Sequence, residues 1–145
     1  MIIAIDGPAG SGKSTVAKIV AKKLNFRYID TGSMYRSIAW KSLQKNTALE
    51  DKEAVADIAL KTKIELVYSE GGQLVFVDDK NITDQLKMEV VSRGAAIVAA
   101  QPIIREIMTA KQRQLGGGGK VVMDGRDIGT VVFPQADKKF FLDAD

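Results

Sequence analysis

The chain has no cysteine and no histidine. Without cysteine there are no disulfides and no thiolate metal sites, which suits a reducing compartment and makes the cytoplasm the expected location. Without histidine the commonest general base and an abundant metal ligand are gone. Chemistry here must run on carboxylates, cations, backbone groups and bound metal. A large excess of either charge is lacking too: 21 Lys and Arg face 18 Asp and Glu, a net +3. No Lys/Arg block of the kind that tracks a nucleic-acid backbone is present, so a small anionic ligand is expected rather than a polymer. Nor is there a long apolar run. The apolar start is broken by Asp6 and is too short for a signal peptide or a membrane span. What remains is globular material: 46% apolar residues over 145 positions, one domain's worth of chain with room for a small insertion.

The stretch that organises it is Gly7-Pro8-Ala9-Gly10-Ser11-Gly12-Lys13-Ser14, followed by Thr15. It fits the phosphate-binding loop pattern, Gly, four residues, Gly-Lys-Ser/Thr, at every specified position. Ile2-Ile3-Ala4-Ile5 before it reads as a buried parallel strand. After it, Val16, Ile19, Val20 and Leu24 recur at helical spacing, with Lys18, Lys22 and Lys23 on the other side. Strand, loop and helix thus follow in the order that separates this motif from a Gly-rich turn that merely caps a helix. Glycines take positive φ and let backbone N–H groups approach a polyphosphate. The helix beginning near Lys13 adds its own free N–H groups and positive end. Lys13 is expected to reach the β- and γ-phosphates, and the Ser14 hydroxyl to ligate Mg²⁺.

Further along, Arg27-Tyr28-Ile29-Asp30 reads as a second strand, and a helix runs on through Ile38, Ala39, Trp40 and Leu43. Asp51 is placed to cap a helix through Val55, Ile58 and Leu60. The texture then changes. Ile64 to Tyr68, a turn at Glu70-Gly71-Gly72, and Leu74 to Val77 predict a β-hairpin, with Asn81-Ile82-Thr83 as a short third strand. From Glu89 to Gln114, the apolar positions Val90, Ala95, Val98, Ile103, Ile107 and Leu115 predict two helices jointed at Pro102. Gly116 to Gly119 reads as a loop rather than a second phosphate cradle, because a strand follows it instead of a helix. That strand, Val121-Val122-Met123, ends in Asp124; Lys139 to Asp143 is a fourth strand. The pattern is an alternating α/β chain with an antiparallel insertion.

An apolar strand ending in a carboxylate is what phosphate-loop enzymes use to hold Mg²⁺, though such an Asp also suits a plain strand-end turn. Gly125-Arg126-Asp127 follows at the carboxyl end of a central strand, where side chains face a ligand crevice. Arg36, Arg105 and Arg126 are three cations able to take a phosphate bidentately, or to serve singly as solvated surface charge.

Three blocks together carry a resemblance: Ile5-Asp6-Gly7-Pro8 with the phosphate loop, Asp30-Thr31-Gly32-Ser33-Met34-Tyr35-Arg36, and Asp124 through Pro134. The chain resembles the bacterial cytidylate kinases along essentially its whole length. The resemblance implies a P-loop nucleoside monophosphate kinase fold: an α/β core with a parallel central sheet, 1–36 and 119–145, and a small nucleotide-binding insertion, 37–118. It implies transfer of the ATP γ-phosphoryl group, with Mg²⁺, to CMP or dCMP. By matching positions, Thr31, Arg36 and Arg126 would hold the acceptor phosphate, and Arg105 and Asp127 would read the cytosine. Lys13 and Arg126 would be the catalytic cations, Gly7 to Thr15 the donor-phosphate loop, and Ser14 and Asp124 the metal residues. Cytosine shows an amino donor beside acceptors at N3 and O2, which a carboxylate and an Arg complement. Uracil reverses two of those polarities, a buried mismatch costing roughly 1–3 kcal/mol.

The chain departs from that family at three places. Ala96 stands where a base-binding serine is usual, Lys87 where Arg is common, and the chain stops before the lid, further arginines and last core strand. Two other readings follow: a nucleotide-binding module without turnover, or a kinase for another small acceptor. A final strand without its covering helix is expected to expose Phe140, Phe141 or Leu142, and to favour instability, self-association and weak turnover. Oligomeric state is left open.

Overall fold

The computed structural model describes residues 1–69 and 72–143. The chain divides into two compact units, Met1–Thr31 with Thr109–Asp145, and Gly32–Met108. The insertion expected at 37–118 overlaps most of the second.

The first unit is built on four parallel strands: β1 (Ile2–Asp6), β2 (Arg27–Asp30), β6 (Val121–Gly125) and β7 (Lys138–Phe141), in the order β2-β6-β1-β7. The fold class is therefore α/β with a parallel central sheet, as the sequence predicts. Register decides what faces where. Ile5 lies opposite Asp124, and Tyr28 and Asp30 lie opposite Val122 and Asp124. With side chains alternating along a strand, Ile3, Ile5, Tyr28, Asp30, Val122 and Asp124 share one face, and Asp6 falls on the other. Helix α1 (Lys13–Leu24) covers the first face, where Ile3, Ile5, Tyr28 and Val122 pack with Ala17 and Ala21.

That contact corrects the expected helix face. Val16, Ile19 and Leu24 are exposed; the buried stripe is Ala17 and Ala21, with Val20 partly buried against it. Small side chains let the helix lie close to the sheet. The edge strand β7 is exposed as expected, Phe140 at 52% and Phe141 at 66%, while Leu142 packs against the core.

Gly116 is not loop. It closes helix α5 (Pro102–Gly116), and a Cβ there would sit 2.7 Å from the Phe133 ring, so only the remainder of the glycine run turns. After β6 the backbone forms a π-helical turn, Ile128–Val132, in which Val132 N–H donates to the Asp127 carbonyl at 3.2 Å and Phe133 N–H to that of Ile128 at 2.7 Å.

In the second unit, helix α2 (Thr31–Gln44) starts directly from the end of β2. Asp51 caps α3 (Lys52–Lys61), its carboxylate accepting from Ala54 N–H at 3.2 Å. Strands β3 (Ile64–Ser69) and β4 (Gly72–Val77) form the predicted hairpin; Glu70 and Gly71 of its turn lie outside the described residues. The third strand, β5 (Lys80–Asn81), starts one residue before the expected 81–83 and ends two residues before it does. Ile82 is instead a core residue, packed with Trp40, Val75, Val77, Leu86 and Val91. Helix α4 (Glu89–Ala99) and α5 are the expected pair, with Pro102 opening α5, a position that needs no N–H donor. Of the positions expected to be apolar contacts, Val98 is inside, but Val90 and Ile103 are exposed, and Val91, Gly94, Ile104 and Met108 are buried instead.

Candidate functional site

The phosphate loop takes the shape its glycines permit. Gly10 and Gly12 have φ of +80° and +83°, where a side chain would be strained. Gly7 is needed for space: its N–H donates to the Gly125 carbonyl at 3.1 Å, and an added Cβ would lie 2.4 Å from the Leu142 carbonyl oxygen. No side chain caps α1. Its leading N–H groups, which have no partner within a helix, point toward the loop. Lys13 folds back, donating to the Pro8 carbonyl at 3.2 Å.

Across from the loop stands Asp124, which is 1% exposed. Its Oδ2 accepts from Ser14 Oγ at 3.1 Å and from the Tyr28 hydroxyl at 2.7 Å. Oδ1 is buried without a hydrogen-bond partner, as is Ser11 Oγ in the loop. Burial pushes the Asp124 carboxyl up to about 7, and the neighbouring Asp30 charge pushes the same way; Tyr28, Ser14 and Lys13 pull it down. The Tyr28 phenol is driven far above its usual range, first by burial and then by Asp30 and Asp124. A buried carboxylate with one idle oxygen, beside a serine hydroxyl and a second carboxylate, is a donor set short of a cation. Among the described residues no three acidic side chains gather into a metal cage. The set suits Mg²⁺, which binds through one or two protein groups and fills its octahedron with water and phosphate oxygens.

The π-helical turn that follows Arg126 and Asp127 is held at both ends. Asp6, on the far face of the sheet, accepts from Ile128 N–H and Gly129 N–H, each at 2.8 Å. Arg113 donates to the Val131 and Val132 carbonyls at 2.8 and 2.9 Å. A carboxylate at the amino end of the π-helical turn and a guanidinium at its carboxyl end match the partial charges there. Thr31 Oγ1 donates to the Asp124 carbonyl at 2.8 Å, and Gly125 leaves it room: a Cβ would come within 2.5 Å of that oxygen.

Thus Ser14, Asp124 and Thr31 are brought together, with the phosphate loop and the Arg126–Asp127 segment in the same unit. Arg36 and Arg105 belong to the other unit; Arg36 donates to Ser33 Oγ at 3.0 Å and Arg105 is exposed on α5. Ala96 is exposed on α4, and Lys87 pairs with Asp84 at 3.8 Å.

A family model of cytidylate kinases matches residues 3–145. The chain belongs to the cytidylate kinase family. Cytidylate kinases similar to it include that of Geobacillus sp. (strain WCH70), 53% identical over 98% of this chain and 63% of the relative. Those of Desulfitobacterium hafniense (strain Y51) and Bacillus subtilis (strain 168) are 52% and 51% identical, over 98% and 97% of this chain and 61% and 62% of theirs. The chain therefore spans about three-fifths of the length of these cytidylate kinases. Among its described residues, no helix is long and apolar enough to cross a membrane.

Sequence reading passes over Tyr28, Asp6 and Arg113. Tyr28 reads as one more strand residue, and nothing in the local pattern shows that its hydroxyl emerges beside Asp124. Asp6 and Arg113 carry a faint signal, charges beside apolar positions, with partners far away in sequence.

Proposed function

We propose that this member of the cytidylate kinase family binds Mg-ATP on the phosphate loop and transfers the γ-phosphoryl group to CMP or dCMP. One observation carries the donor half: the idle, buried Asp124 Oδ1 beside Ser14, at the mouth of a glycine loop of phosphate-binding shape. Gly7 to Thr15 cradle the phosphates, and Lys13 swings from the Pro8 carbonyl to the β- and γ-phosphates. Ser14 and Asp124 hold the Mg²⁺, directly or through water. The metal, when bound, would supply neutralisation of the phosphate charge.

The acceptor half rests on the family resemblance. Thr31, Arg36 and Arg126 hold the CMP phosphate, and Arg105 and Asp127 read the base. The attacking oxygen is a phosphate oxygen, already anionic, so no general base is needed and the lack of histidine is no obstacle. Arg126 joins Lys13 in stabilising charge on the transferring group. Ala96 supplies no polar contact to the base, so discrimination against uracil rests on Arg105 and Asp127.

A coupled assay with a panel of nucleoside monophosphates tests this. CMP and dCMP are expected to be turned over in preference to UMP and AMP, and Lys13→Ala to lose turnover by about a hundredfold or more while melting normally. ATP binding without turnover of any acceptor would favour a binding module instead. A preference for UMP or AMP would favour another acceptor, and an unaffected Lys13→Ala would sink the donor assignment.

A further inference from the structure

Tyr28 belongs to none of the groups just assigned, yet it touches two of them. Its ring lies in the apolar core under α1, with Ile3, Ile5, Ala17, Ala21 and Val122. Only the hydroxyl leaves that core, and it emerges 2.7 Å from Asp124 Oδ2 and 3.3 Å from Ser14 Oγ. Tyrosine suits a place with one apolar and one polar end, and core packing leaves the ring little freedom. A phenol has one proton to give, and the shorter contact directs it to Oδ2. Ser14 also donates to Oδ2, at 3.1 Å. A hydroxyl that gives its proton to the carboxylate keeps its lone pairs for a cation. Both donors thus converge on one carboxylate oxygen, and the other, Oδ1, is left buried and idle.

We propose that Tyr28 is a positioning residue for the cation site: by holding Asp124 Oδ2 it fixes the carboxylate plane and keeps Oδ1 for the cation or its bound water. The same bond keeps the Ser14 proton turned toward the carboxylate rather than toward the metal. Outer hydrogen bonds of this kind orient ligands in metal sites generally. The proposal rests on the phosphate-loop reading above and adds the residue that sets the geometry of its metal.

The test separates metal from nucleotide. ATP affinity is measured by calorimetry with Mg²⁺ and again with EDTA, and the ratio of the two reports what the metal contributes. In Tyr28→Phe, which keeps the ring, that ratio is expected to fall about tenfold, while affinity in EDTA stays within about twofold. In Asp124→Asn the ratio also falls, and the double variant falls no further, because both act through one carboxylate. An unchanged ratio in Tyr28→Phe, an equal loss in EDTA, or additive losses in the double variant would each overturn the proposal. Should Tyr28→Phe fail to fold, ¹⁹F spectra of the 3-fluorotyrosine protein, which has three tyrosines, decide the matter instead. The Tyr28 resonance is expected to move when Mg²⁺ joins the ATP complex, and a stationary resonance would overturn the proposal. If the unaltered protein binds no ATP even with Mg²⁺, the phosphate-loop reading fails and this proposal fails with it.

Discussion

Burying a carboxylate disfavours its ionised form, and a second carboxylate beside it disfavours that form again. Asp124 carries both penalties, being 1% exposed and opposite Asp30 on the neighbouring strand. Its folded-state value of about 7 lies above the ordinary 3.8. Between those two values the folded chain keeps a proton that the unfolded chain has lost. Stability of the metal-free protein is therefore expected to fall as pH rises from about 4 to about 7, and to level off above, by on the order of a few kcal/mol. Asp124→Asn cannot ionise, so it should remove that slope. Its buried amide NH₂ has no partner either, which costs some stability at every pH, so the slope rather than the absolute melt is the readout. Urea melts in EDTA at pH 5 and pH 8 check this; an equal pH slope in both proteins would refute it. Asp124 is legible in sequence because a charge that ends an apolar strand, in a chain with a phosphate loop, points to a metal. Tyr28 is not, because a strand tyrosine reads as core, and most of this one is.

At the scale of elements, the π-helical turn at Ile128–Val132 is secured by residues 122 and 18 positions away, Asp6 from one side and Arg113 from the other. π-Helical turns are uncommon and occur disproportionately at functional sites. This one immediately follows Arg126 and Asp127. Asp6→Ala leaves the buried N–H groups of Ile128 and Gly129 without an acceptor, a loss of roughly 2–4 kcal/mol. Arg113→Ala frees two carbonyls nearer the surface, a loss of about 1 kcal/mol. Thermal melts are expected to rank the variants in that order, with Asp6→Ala also weakening CMP binding more than ATP binding. An Arg113→Ala loss exceeding that of Asp6→Ala would show that the amino end of the turn is not its anchor. Local pattern reveals most elements, since strand and helix periods are written in neighbouring residues. It misjudges the covered face of α1, because alanine scores as a weak apolar residue yet lets the helix approach the sheet. It likewise takes Gly116 for loop, when the Phe133 ring demands a small residue at the end of α5.

The whole molecule distributes the proposed acceptor residues over both of its compact units, Arg36 and Arg105 in one, Thr31, Arg126 and Asp127 in the other. The net charge of +3 and pI near 9.1 favour anionic ligands in general and cannot select a base. Selection has to come from hydrogen bonds. In the proposed reading the Asp127 carboxylate would accept from the cytosine amino group and would meet a carbonyl in uracil. An Asn there has both an oxygen and an NH₂ and can turn either one toward the base, so it should serve both. Arg105→Met keeps most of the side-chain length and removes the donors proposed for N3 and O2. Two substitutions in different units are thus expected to share one signature. The ratio of kcat/KM for CMP to that for UMP should fall by about tenfold or more in each, with KM for ATP unchanged. Steady-state kinetics of the two variants on CMP and UMP provide the measurement. If Asp127→Asn keeps its preference for CMP while Arg105→Met loses it, base reading belongs to Arg105 alone. If both keep it, cytosine is recognised by residues outside this set.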